Sequence, residues 1–142
     1  MQKPILISAL AATILLSGCA STGGKRDLSQ SLYLRGQFAW WDALDEYKVK
    51  KAGPDLYVAS VELKADGQPY ELKFGDAAWS AGTNCGFLSQ EDQMLEFGKK
   101  SKANCSSVFE NFKFNPPETG VYSFYLDNSG EQPVVYVEPA NK

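Results

Sequence analysis

From Ser31 onward the apolar residues of this chain recur with period two far more often than with the 3.6-residue period of a helix. Leu32/Leu34, Tyr47/Val49, residues 56–63, Tyr70/Leu72/Phe74, Phe109/Phe112/Phe114, residues 121–126 and residues 134–137 are each short and rich in β-branched or aromatic side chains. Glycine, proline, asparagine and aspartate cluster between them at 51–55, 65–69, 115–120 and 128–131, where they set or tolerate turn dihedrals. About seven strands of this length cannot each bury a face alone. They predict one all-β domain over 31–142, a two-sheet antiparallel sandwich.

Residues 89–97 resist the pattern. Ser89 before Glu91 and Asp92, with Gly98 beyond, could cap a helix at both ends. The alternative, preferred because the surrounding chain is β throughout, is a short edge strand from Met94 to Phe97.

The N-terminus carries a different signal. Lys3 precedes an apolar run from Ile5 to Leu16 that is short for a membrane span and ends in small residues, as a cleavable export signal does. Leu16-Ser17-Gly18-Cys19 resembles the lipobox of bacterial lipoproteins. The resemblance implies a signal peptide over 1–18, cleavage before Cys19, and diacylglycerol and acyl chains on that cysteine. Several chains together hold a protein on a membrane where one does not. By the same resemblance Ala20 implies the outer membrane, and the polar stretch through Gln30 reads as a flexible tether over 19–30.

Removing Lys3 with the leader leaves 13 basic against 17 acidic residues, and no basic stripe interrupts the balance, so a nucleic-acid partner is not expected. Once Cys19 is acylated, Cys85 and Cys105 remain in a chain bound for an oxidising compartment, which predicts a disulfide between them. No histidine is present, and two thiolates do not complete a zinc shell. No metal or cofactor is expected.

Catalysis is hard to assemble from these residues. There is no imidazole base, no Gly-x-Ser-x-Gly elbow and no phosphate-binding glycine loop. Asp42, Asp45 and Glu46, or Glu91, Asp92 and Glu96, could supply a paired-carboxylate glycosidase site, yet both clusters read as solvated loops. The expectation is a protein that is not an enzyme.

Aromatic residues make up 13% of the chain. Most, including Phe38, Tyr57, Phe74, Phe109, Phe112, Phe114, Tyr122, Phe124 and Tyr136, are expected to fill the core. Trp40 and Trp41 are adjacent, and in extended backbone adjacent side chains point to opposite faces, so one packs and the other faces solvent. An exposed indole suits a sugar because the axial C–H groups of a pyranose form an apolar face that lies flat on a ring, while polar neighbours meet the hydroxyls. Gln37, Lys73, Asp76 and Asn84 are candidates for that second role.

Residues 33–42, YLRGQFAWWD, resemble the "LRGxFNxW" opening of starch- and glycogen-binding-type sandwich modules, such as those preceding pullulanase and α-amylase domains. Residues 61–74, the Gly75-Asp76-Ala77-Ala78-Trp79 element, Asn84-Cys85-Gly86 and residues 120–127 are similar to further pieces of such modules in the same order. Ala39 departs from the usual asparagine. The likeness implies an immunoglobulin-like sandwich and a non-catalytic α-glucan- or oligosaccharide-binding role. It places Trp41 and Trp79 on recurrent positions and Trp40 on a variable one. Trp40, Trp41, Trp79, Lys73 and Asn84 are the candidate contacts, Trp40 and Trp79 leading. The rival expectation is an envelope lipoprotein whose sandwich is a scaffold for a protein partner. A groove of rings beside amide and charged groups would favour sugar, and a flat apolar patch would favour protein.

Overall fold

The computed structural model describes residues 25–140; the leader and Cys19 lie outside them. The described residues form nine strands: β1 (Leu32–Gly36), β2 (Lys50–Gly53), β3 (Leu56–Leu63), β4 (Tyr70–Asp76), β5 (Gly86–Phe87), β6 (Ser101–Asn104), β7 (Phe112–Phe114), β8 (Gly120–Asp127) and β9 (Val134–Pro139). They make a three-stranded sheet of order β1-β4-β7 and a six-stranded sheet of order β2-β3-β8-β9-β6-β5, with every strand pairing antiparallel. The fold is the expected all-β sandwich.

Alternation sets the core. In β3 the inward residues Tyr57, Ala59, Val61 and Leu63 are buried, and Tyr57, Ala59 and Val61 pair with Leu126, Phe124 and Tyr122 of β8. Leu34 and Phe74 are register partners in the opposing sheet, as are Leu72 and Phe112, and all four are fully buried. Large rings from both sheets meet edge to face, as Phe114 does with Phe124 at 5.6 Å between centroids.

Several details depart from the sequence reading. Two strands, β5 and β6, were not anticipated, because one is two residues long and the other, SKAN, is polar. Tyr47 lies in a 3₁₀ turn, Asp45–Tyr47, and the strand begins only at Lys50. Tyr47 is held there by its edge-to-face contact with Phe38, 5.1 Å between centroids. Residues 89–97 form neither a helix nor the preferred edge strand. Ser89 and Asp92 close a capping box around a single 3₁₀ turn, Gln90–Asp92, and Met94 makes one isolated bridge to Lys113. The folded region also reaches back into the stretch expected to be tether: Leu28 is buried, and its amide donates to the Tyr57 hydroxyl at 3.1 Å. The predicted Cys85–Cys105 disulfide is present.

Candidate functional site

On the outer face of the three-stranded sheet the alternation breaks down. Arg35 of β1 and Lys73 of β4 point away from the core and are register partners, yet they are only 6% and 2% exposed. The Trp79 indole covers them. The guanidinium carbon of Arg35 lies 3.6 Å from the ring centroid, and Lys73 Nζ lies 5.9 Å from it. Gly75 is what lets the indole lie so close to the sheet, since a Cβ there would stand 2.9 Å from the ring carbons.

Arg35 also fixes the other tryptophan loop. Its Nε donates to the Trp41 carbonyl at 2.7 Å, joined by Nη2, while Nη1 donates to the Asp76 carbonyl at 2.7 Å. One planar fork thus ties the turn after β1 to the turn after β4. Both turns are strained. Trp40, Trp41 and Trp79 have φ of 52°, 63° and 56°, a left-handed conformation that is an outlier for a bulky residue. The segment holding Trp40 and Trp41 is therefore not extended, contrary to the sequence reading. A 3₁₀ turn, Gln37–Ala39, ends in Trp40, and the Trp41 amide returns to the Gly36 carbonyl at 2.9 Å. One indole is still half-buried and one exposed: Trp41 turns inward and Trp40 is 87% exposed. On the second loop the Asp76 carboxylate accepts the Ser80 amide at 2.7 Å, and its pKa is held below the usual value although burial pushes the other way.

Trp41 and Trp79 stand 6.5 Å apart between centroids, tilted by 51°, on one side of a cleft of about 490 Å³. Lys73, Asn84, Phe109 and Asn111 also line it. No carboxylate is among its lining residues. The disulfide lies next in sequence to two lining residues, Asn84 and Ser106. Cys85 is bonded to Phe74 of β4 through both backbone groups, and the Asn84 amide donates to the Cys105 carbonyl at 3.1 Å, so the cross-link holds Asn84 between them. Asn84 is 8% exposed, and neither its Oδ1 nor Lys73 Nζ has a hydrogen-bond partner among the described residues. Burial pulls the Lys73 ammonium below its ordinary pKa, opposed by the charge of Glu110.

The far wall comes from residues assigned to the core or not singled out. Phe109 is 87% exposed instead of buried. Its loop is held by the Glu110 carboxylate, which accepts the Val108 and Phe109 amides at 2.8 and 3.0 Å. The loop fits only because residue 86 is glycine: a Cβ there would lie 1.6 Å from the Glu110 carbonyl oxygen. A signal for this was present in the spacing. Phe109 is out of phase with Phe112 and Phe114, so strict alternation cannot send all three inward.

Of the five saccharide candidates, the fold brings Trp41, Trp79, Lys73 and Asn84 to one cleft and leaves Trp40 outside its lining. Gln37 and Asp76 are likewise elsewhere, Gln37 accepting the Glu71 amide at 3.0 Å. The carboxylate clusters at 42–46 and 91–96 do not line this cleft either.

No family model and no curated protein matches the chain. Among solved structures it is similar to the one described as "Ligand induced structure of AmyP-SBD", a starch-binding domain. The two superpose with a TM-score of 0.53 at 19% identity, over 96% of this chain and 95% of that one. At that identity the likeness establishes a shared β-sandwich fold.

Proposed function

We propose that the cleft between Trp41, Trp79 and Phe109 binds an α-glucan or related oligosaccharide without chemical turnover, and that the protein is a lipid-anchored binding module of the outer membrane. The observation that carries the first part is the pairing of two tilted indoles with two nearly enclosed polar side chains, Lys73 and Asn84, whose Nζ and Oδ1 have no hydrogen-bond partner among the described residues. Rings offer the surface on which a pyranose face lies, and an unsatisfied donor beside an unsatisfied acceptor is what sugar hydroxyls complete. The concave shape and the amides of Asn84 and Asn111 favour a saccharide over a flat protein-docking patch. Similarity in fold to a starch-binding domain adds support. The anchor rests on the leader and Leu16-Ser17-Gly18-Cys19.

Calorimetry of the full-length chain in detergent against maltoheptaose and glycogen tests the binding. The wild type should bind, Trp79→Ala should abolish measurable binding, and Trp40→Ala should change the affinity by less than about twofold, as an indole outside the cleft requires. Absence of binding by the wild type to either glucan would overturn the reading. For the anchor, Cys19→Ser should move the protein out of the detergent-extracted membrane fraction and remove the acyl mass from its N-terminal peptide.

A further inference from the structure

Two cations face each other where a sheet ordinarily places opposite charges or none. Arg35 and Lys73 are direct register partners, and like charges in that relation cost stability. Both are nearly enclosed, which adds a desolvation cost that a neighbouring carboxylate would offset. None is in place. The one ion pair among the described residues joins Lys51 to Asp27 and involves neither cation. Glu110 acts on Lys73 only from beyond ion-pair distance, because its carboxylate accepts the Val108 and Phe109 amides. Arg35 has its donors on backbone carbonyls, whereas Lys73 Nζ has no acceptor among the described residues.

From this arrangement we infer that the cleft selects saccharides carrying an anionic substituent, a carboxylate or a phosphate, whose charge is received by Lys73. The inference rests on the cleft being a saccharide site. A neutral hydroxyl would also accept a hydrogen bond from Lys73, but it would leave two buried positive charges opposed. An anion offsets both the like-charge contact and the desolvation of the ammonium. Trp79 then performs two tasks: its outer surface carries the apolar face of the sugar, and its ring faces the two cations that prefer the anionic edge. The unpartnered Oδ1 of Asn84 is left for a hydroxyl donor, so the cleft separates the charged end of a residue from its neutral one.

The test titrates the full-length chain with three probes of equal length: neutral maltoheptaose, maltoheptaose bearing a single 6-phosphate, and the same glucan oxidised at one C6 to a uronate. At low salt the charged probes should bind about tenfold tighter than the neutral one, the effect of one charge-assisted hydrogen bond. The preference should shrink as salt rises. The phosphate and uronate arms tell which anion is favoured. Lys73→Met should erase the preference, leaving charged and neutral probes equal at whatever affinity remains, and raise thermal stability, because an apolar side chain replaces an unpaired buried cation; Lys73→Arg should retain the preference. Equal affinity for charged and neutral probes overturns the inference and leaves the saccharide reading standing. A preference that survives Lys73→Met overturns the assignment to Lys73. Failure of all three probes removes the saccharide reading itself, and this inference with it.

Discussion

Replacing Arg35 by lysine should disturb both tryptophans at once while leaving the sandwich folded. The guanidinium donates to two carbonyls 35 residues apart in sequence, those of Trp41 and Asp76, and its plane lies 3.6 Å from the Trp79 centroid. A hydrogen bond from a charged donor contributes roughly 1.5–3 kcal/mol, and a desolvated cation–π contact about 0.5–2 kcal/mol. A lysine keeps the charge but is a single point at the end of a flexible stem, so it can serve one carbonyl and cannot stack as a plane. One charged bond and part of the ring contact are then lost, and the relief of burying a smaller fork offsets little of this. The net cost is about 2–4 kcal/mol, of the order seen when a buried polar network is broken. Because Trp41 and Trp79 sit in left-handed backbone that stores about 1–3 kcal/mol each, part of the response should be local relaxation of the two turns. Urea denaturation followed by tryptophan emission reads both: the midpoint should fall, and the native emission should shift to the red as the half-buried Trp41 and the covered face of Trp79 gain water. Maltoheptaose affinity should fall in parallel. An Arg35→Lys protein with the wild-type midpoint and emission would refute the idea that this fork holds the two turns together.

Breaking the cross-link with Cys85→Ser and Cys105→Ser together should cost about 3 kcal/mol by loop-closure entropy for a sequence separation of 20. The loss should appear as a lowered denaturation midpoint in the variant and, equally, in the reduced wild type. The Asp92 carboxylate is pushed up by burial but held below its ordinary pKa by the Lys102 amide and by Ser89, with bonds of 2.9 Å to the former and 2.7 Å to the Ser89 hydroxyl. A depressed folded pKa gives stability that is fully present above the unfolded value of about 3.9 and is lost as pH falls through the folded one. Midpoints measured from pH 6 downward should therefore drop more steeply below about pH 4 in the wild type than in Asp92→Asn.

The long strands were legible because a single rule decides them. In β3 the alternation in sequence, the register and the burial agree, and the buried row runs on where Ala59, Phe124 and Val137 lie side by side across three strands; in β9 the agreement fails at Tyr136, read as core, which lies half-buried on the opposite face, stacked on Tyr125 at 4.8 Å between centroids. Nothing comparable marks β5 or β6: β6 is placed by pairing with β9, and β5 by pairing with β6 and by the disulfide, not by their own composition. The N-cap at Ser89 was legible too, but a cap starts a turn without deciding how far it runs. Here Lys113 decides it: its backbone takes the Leu95 amide at 2.7 Å and donates to the Gln93 carbonyl at 2.8 Å, which ends any helix after one turn.

The cleft was half legible, and the missing half has a common cause. Trp41, Trp79, Lys73 and Asn84 can be named from residue type, since rings and polar side chains are what a sugar site uses. Their convergence cannot. Left-handed backbone is advertised in a sequence by glycine or asparagine, and three tryptophans advertise the opposite. Two of them are held by Arg35, through the Trp41 carbonyl and the Trp79 ring, and in its own strand Arg35 is only one more outward-facing polar residue. The choice between Trp40 and Trp41 turns on this. Extended backbone would have given the two indoles equal and opposite standing; the carbonyl that Arg35 captures belongs to Trp41, so Trp41 is the ring drawn to the cleft and Trp40 is the one left in solvent.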